Sequence, residues 1–141
     1  MKKNIWSFLL LALITTACDK DKNDIEDNKT TASIFLVDNL YYEVVGSNDV
    51  AVIHPPQDVS YEYTNVYLND EIIYKSNTYK ITKIGEDAFA SDYYLTEANT
   101  GNNVTEILSN AFDGCNKLTK ITIGQEISYI GSMSFRVGNR F

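Results

Sequence analysis

The sequence predicts a mainly β fold: a short β-solenoid of 23-residue coils with short helical or 3₁₀ turns, capped at its N-terminal end by a small antiparallel β meander. Three observations lead there. Apolar residues return at a fixed step of 23 through the C-terminal half. Short extended segments lie between the recurrences. The region ahead of them alternates strand and turn signals without repeating.

The recurrence rests on three gapless segments, Ile81–Phe89, Val104–Phe112 and Ile127–Phe135. Ile81, Val104 and Ile127 form one column, Ile84, Ile107 and Ile130 a second, and Phe89, Phe112 and Phe135 a third. Gly85 matches Gly131, and Ala88 matches Ala111. Between the segments, Leu118-Thr119-Lys120-Ile121-Thr122-Ile123 alternates as a strand should; Leu95 to Thr100 is its weaker equivalent, with Ala98 and Thr100 in place of larger residues. Tyr63 to Leu68 is an earlier counterpart, and Ile73 to Lys80 reads as a hairpin turning at Ser76-Asn77. A single coil cannot bury its Ile, Phe and Leu, but stacked coils set like residues in ladders and share one core. The three Phe are expected in an aromatic column. Cys115, beside Gly114, is expected to point inward at a corner as a small hydrophobe.

Residues 32–62 supply the cap. Ser33 to Val37 and Leu40 to Val45 read as strands about an Asp38-Asn39 turn; Gly46 to Asp49 turns into Val50–Ile53, and His54-Pro55-Pro56 ends that strand, since Pro lacks a ladder donor. At the other end the last coil, in 63–141, is incomplete: no second alternating segment follows Phe135. A truncated reading frame, a compact natural end with Phe141 folded back, and an uncapped edge used for self-association are the three readings.

The first 17 residues read as an export signal: Lys2-Lys3, an apolar run from Ile5 to Ile14 too short to span a bilayer, then Thr15-Thr16-Ala17. Cys18 follows a small residue, an order that resembles a bacterial lipobox with Thr15 where Leu is usual; Thr15-Thr16-Ala17 would also suit ordinary signal peptidase. The resemblance implies a diacylglyceryl group on Cys18 and a membrane as partner. Residues 18–31 then form an acidic tether with one apolar residue, Ile25, between 19 and 30, too polar to fold. Its carboxylates lack the Gly and closing Glu of a calcium loop, so a solvated spacer is the reading.

The whole chain has 141 residues, 12 basic and 19 acidic, for a net charge of −7. Residues 1–17 hold two Lys and no acid, so the remainder is more acidic still. That balance argues against nucleic acid as a partner. One His, two Cys and the absence of a nucleophile elbow, phosphate loop or paired-Cys motif give no starting point for an enzyme, a metal or a cofactor. Glu86-Asp87 reads as a helix-start pair rather than an acid–base pair. Binding has more support. On the strands, the residues between inward positions face out on the concave sheet: Asn65, Tyr67, Glu97, Asn99, Lys120 and Thr122. Seven of the ten Tyr (Tyr61, Tyr63, Tyr67, Tyr74, Tyr79, Tyr93, Tyr94) gather around the first coils, as contact surface or as packing on the sheet.

Ile84-Gly85, Ala88-Phe89, Ala111-Phe112, Gly114-Cys115, Leu118, Ile121, Ile123 and Ile130-Gly131 at this spacing resemble the BspA-type leucine-rich repeats, over 63–141. Departures are Leu108 for Gly, Ser134 for Ala, Ser91-Asp92 for Gly-Cys and Gly124 for Pro. The resemblance implies a leucine-rich-repeat β-solenoid with a front cap, in a bacterial surface or secreted protein, several of which are linked with adhesion. The reading is then an envelope-anchored lipoprotein, on the outer membrane and facing out, acting as a non-catalytic binding or adhesion module for a host or bacterial surface protein or glycan. The alternatives are a structural fragment of a longer repeat adhesin without its own ligand, and a glycan-processing accessory protein.

Overall fold

A computed structural model describes residues 33–56, 59 and 61–137. The export signal, Cys18, the acidic tether and residues 138–141 lie outside the described residues.

The meander forms where the sequence places it. β1 (Ile34–Val37) and β2 (Leu40–Val44) pair antiparallel, and β2 pairs β3 (Asp49–Ile53). Asp38 and Asn39 both take positive φ (49° and 65°), the twist a two-residue hairpin needs and one that Asp and Asn tolerate well. The meander is more than a lid, however. β3 runs parallel to β6 (Asn77–Ile84), with Val50 opposite Ile81 and Val52 opposite Ile84, so it supplies a preceding rung of the solenoid's own sheet.

Among the described residues there are ten strands and no helix. The remaining ones are β4 (Asn65–Tyr67), β5 (Glu71–Tyr74), β7 (Glu97–Asn99), β8 (Glu106–Ile107), β9 (Lys120–Thr122) and β10 (Tyr129–Ile130). They make two sheets. One runs β1-β2-β3-β6-β8-β10, with β5 folded antiparallel onto β6; the other is the parallel set β4-β7-β9. Each full coil gives one strand to each sheet. The step from β4 to β7 is longer than from β7 to β9, because the β5–β6 hairpin is inserted in the first coil: Thr96 bonds Thr64 32 residues away, whereas Thr119 bonds Thr96 23 away.

The Ala-Phe segments are not helical. They are successive reverse turns, with Ala88 N–H on Gly85 O, Ala90 N–H on Asp87 O and Asp92 N–H on Phe89 O. Positive φ recurs with the period, at Asp87 (55°), Asn110 (58°) and Met133 (57°), and again at Ser91 (61°) and Gly114 (73°). A left-handed residue in each turn stops helical propagation, so Glu86-Asp87 opens a turn and not a helix. It also aims the backbone along the stack: Asp87, Phe89 and Ser91 donate to Ser109 O, Ala111 O and Asp113 O, and the next coil repeats the set onto Ser132, Ser134 and Arg136. This is a third ladder beside the two sheets.

Inside, the columns are real. Val52, Ile84 and Ile107 are fully buried in register, as are Ile81 and Val104. Burying each such side chain contributes about 1.5–3 kcal/mol. Phe89, Phe112 and Phe135 stack with centroids 5.1 and 5.5 Å apart and planes within 11°. Tyr61, buried, caps the column 5.6 Å from Phe89. The segment at Leu95–Thr100 is a strand despite its small residues. Ala98 is enclosed between Val66 and Ile121, and the buried Thr100 hydroxyl accepts from Gly124 N–H at 3.1 Å.

The β5–β6 turn falls at Lys75-Ser76 (φ 47° and 65°), one residue before the expected Ser76-Asn77. The buried Ile72 and Ile81 fix both strands' registers, and a one-residue slip would expose one of them. Core packing therefore overrides the better turn dipeptide.

Two departures from the repeat pattern have local explanations. Ser134, in the Ala88/Ala111 column, is buried with its hydroxyl 2.6 Å from Gly131 O and 2.9 Å from Leu108 O. Asp92, in the place of Cys115, uses Oδ1 to accept from Tyr94 and Leu95 N–H and so starts the next strand. Its buried Oδ2 finds no partner among the described residues, and burial raises its pKa.

Candidate functional site

The β4-β7-β9 sheet positions all six residues singled out from the sequence. Alternation puts Val66, Ala98 and Ile121 inward, which leaves their neighbours on the opposite face. Parallel register then arranges these neighbours in two rows. Asn65, Glu97 and Lys120 form one; Tyr67, Asn99 and Thr122 form the other. Tyr67 is 58% exposed, which makes it the largest accessible ring on this face. Cys18, the proposed lipid site, lies outside the described residues.

The face is electrostatically organised. Lys120 and Glu97 are ion-paired across the 23-residue step. The ammonium holds the Glu97 carboxyl below its ordinary range, and the carboxylate raises Lys120 in turn. Partial desolvation, the nearby Glu97 charge and a hydrogen bond to that carboxylate raise the Tyr67 hydroxyl, so it stays neutral and donates to Glu97. Lys83–Glu106 (2.9 Å) and Arg136–Asp113 repeat the same one-coil step elsewhere on the surface. These pairs fix register more than they add stability, since exposed pairs contribute about 0–1 kcal/mol.

At the C-terminal ends of the three strands the coils leave the sheet through a polar groove of about 430 Å³, which strand alternation did not reveal. Asn69, Asp70, Asn102 and Gln125 line it beside Asn99 and Thr122. The Asp70 carboxylate accepts from Asn102 N–H at 2.6 Å and Asn102 Nδ2 at 3.3 Å, and these bonds lower its pKa. Asn99 Oδ1 accepts from Gly101 N–H, and Gly101 itself has φ +75°. The signal for this groove was the Asn/Asp/Gly content of each strand exit (Asn69-Asp70, Gly101-Asn102, Gly124-Gln125), which becomes a site only once the coils are stacked.

Other residues considered for chemistry are accounted for. The His54 Nδ1 lies 2.8 Å from Pro55 O on an exposed loop. Cys115 is buried and its thiol donates to Phe89 O at 3.0 Å; burial, then the charge of Asp92, pushes its pKa up to about 12, so it is a packed thiol and not a nucleophile. Among the described residues there is no group of three or more His, Cys, Asp or Glu able to hold a metal ion. Of the seven clustered Tyr, Tyr67, Tyr93 and Tyr94 are exposed, whereas Tyr61 is buried and Tyr63, Tyr74 and Tyr79 pack partly against the core.

Comparison with known proteins agrees with the stacked-coil architecture. A family described as BspA type Leucine rich repeat region (6 copies) matches residues 58–140. No curated protein matches by sequence. Solved structures share the fold. A leucine rich cell surface protein from Faecalibacterium prausnitzii superposes with a TM-score of 0.62 at 22% identity, over 73% of this chain and 27% of that one. A leucine-rich repeat protein from Bacteroides ovatus gives 0.60 at 27% identity, over 72% and 26%. Another, from Bacteroides capillosus, gives 0.64 at 21%, over 73% and 74%. The chain thus spans about a quarter of the length of the first two. The family match covers the same columns, turns and strand exits that build the solenoid, and the chain belongs to the BspA-type leucine-rich-repeat family.

Proposed function

We propose that this chain is a non-catalytic binding or adhesion module for extracellular protein or glycan, exported and held on the cell envelope through lipidated Cys18, with the β4-β7-β9 face as its contact surface. The observation that carries the reading is the alignment of six outward polar and aromatic residues on one sheet face, made rigid by three parallel strands. An exposed Tyr beside amides and a fixed ion pair offers contact area at low entropic cost. The family match and the likeness to a protein described as a cell surface protein support an envelope location. The signal-like residues 1–17 and the Cys18 that follows support export and lipid anchoring.

The test is retention of the full chain on immobilised extracellular-matrix proteins and glycans. Lys120→Glu sets two carboxylates side by side on the face and is expected to weaken capture about tenfold. Lys80→Glu, exposed on the other sheet, is expected to leave it unchanged. Capture by no member of the panel, or equal loss in both variants, overturns the reading and assigns the chain a structural role.

A further inference from the structure

We propose that the strand-exit groove beside Tyr67 binds a neutral oligosaccharide. The proposal rests on the reading of the β4-β7-β9 face as the contact surface and names the ligand class that its exit groove selects.

The lining is the first argument. Amides dominate its polar side chains, with one hydroxyl and one carboxylate, and Leu68 and Ile123 add apolar surface. The side chains of Asn69, Thr122 and Gln125 make no hydrogen bond to the described residues, so their donors and acceptors are available to a ligand. A planar amide presents a donor and an acceptor side by side, the arrangement that adjacent sugar hydroxyls match. The Asp70 carboxylate, already oriented by Asn102, retains acceptor capacity for a further hydroxyl.

Tyr67 supplies the second argument. Asn69 borders both the groove and a smaller depression that Tyr67 lines. The exposed ring thus adjoins the groove across Asn69, and offers apolar surface to the C–H face of a sugar that extends out of it. Sites for small ligands combine these two elements.

The third argument is charge. Among the described residues no Lys or Arg lines the groove, and the neighbouring Lys120 is tied to Glu97. A polyanionic glycan would meet Asp70 and Glu97 with no unpaired cation, on a chain of net charge −7. A neutral sugar meets no such barrier.

The groove is also built in advance. A Cβ at Gly124 would lie 2.1 Å from Gly101 O, and one at Gly101 would lie 3.0 Å from Leu68 O, so these glycines let the three exits nest into one wall. Preorganisation of this kind lowers the cost of binding.

The experiment is calorimetric titration of the full chain with neutral β-glucan and mannan oligosaccharides, with oligogalacturonate as the anionic probe. At least one neutral series is expected to bind, with little dependence on salt because no charge pairing is involved. Tyr67→Ala and Gln125→Ala are each expected to weaken it about tenfold, while Tyr67→Phe retains it. Unchanged melting temperatures separate these losses from misfolding. The absence of neutral-sugar binding, a preference for oligogalacturonate, or affinity indifferent to both Ala variants overturns the proposal. Capture of a matrix protein sensitive to Lys120→Glu, without sugar binding, would sink this inference and leave the adhesion reading standing; failure of both assays would remove both.

Discussion

The two ends of the solenoid are made of the same residues and differ in what lies on top of them. Ile84 and Ile107 are fully buried, while Ile130, the third member of their column, is 49% exposed. Phe89 and Phe112 are enclosed, and Phe135 is covered on one side. At the N-terminal end Val52 sits in register with Ile84, and Tyr61 covers Phe89. Val52 lies ahead of the matched repeats and Tyr61 ahead of their first strand, yet each supplies the layer a preceding coil would give. In the last described coil Ile123, Ile130, Met133 and Val137 stay exposed. Burial in this fold is therefore a property of the stack. An identical side chain is core or surface according to whether a neighbouring layer covers it.

Truncating one column at two heights breaks or upholds this comparison most directly. Ile107→Ala leaves a cavity between two covered coils and is expected to cost about 2–5 kcal/mol. Ile130→Ala, the same change at the open layer, is expected to cost under about 1 kcal/mol. Chemical denaturation of both full-length variants measures the difference. Equal losses would mean that the exposed layer is covered in solution.

A smaller effect separates close backbone approach within the stack from contact with a movable side chain in the cap. At Gly124 the atom a Cβ would meet is Gly101 O, a backbone atom that cannot swing away. Gly124→Ala is expected to destabilise by about 1–3 kcal/mol and to distort the polar groove. At Gly46, in the β2–β3 turn, a Cβ would meet the Asp49 carboxylate at 2.9 Å, a movable side chain. Gly46→Ala is expected to lie within about 0.5 kcal/mol of the parent. Thermal melts distinguish the two, and a neutral Gly124→Ala would show that the coils can part at that point.

The stack was legible in the sequence because the step of 23 acts on side chains that must be buried. The columns at Ile84, Ile107 and Phe112 and the six outward residues of the β4-β7-β9 face follow from periodicity and alternation alone, and the inward Cys115 from its place beside Gly114 at a coil corner. What was not legible depends on three dimensions. The reverse turns at Asp87, Asn110 and Met133 need a left-handed residue, and Met133 carries no sequence signal for one. The Lys75-Ser76 turn is dictated by the registers of Ile72 and Ile81 and not by turn propensity. The role of β3 as an extra rung appears only on pairing with β6, since its sequence lacks the repeat. The exit groove draws one dipeptide from each of three coils, none distinctive singly.

The smallest expected effect compares two carboxylates, Asp92 in the first Ala-Phe turn and Asp113 near the last. Burial raises the Asp92 pKa; its partner Arg136 lowers that of Asp113. A raised carboxyl contributes stability below its unfolded value, about 4, and loses it as pH climbs through the folded value. A lowered one contributes above the unfolded value and loses that as pH falls. Asp92→Asn keeps an Oδ1 to accept from Tyr94 and Leu95 N–H and removes the buried charge. Relative to the parent it is expected to gain, by about 1 kcal/mol or less, at neutral pH, and to gain nothing near pH 3. Asp113→Asn loses its ion pair and is expected to show the reverse: a small deficit at neutral pH that closes on acidification. Melting temperatures of parent and both variants across that range decide it. Parallel pH profiles would mean that the buried Asp92 oxygen is solvated, and that the N-terminal end is less tightly closed than the packing of Tyr61 on Phe89 implies.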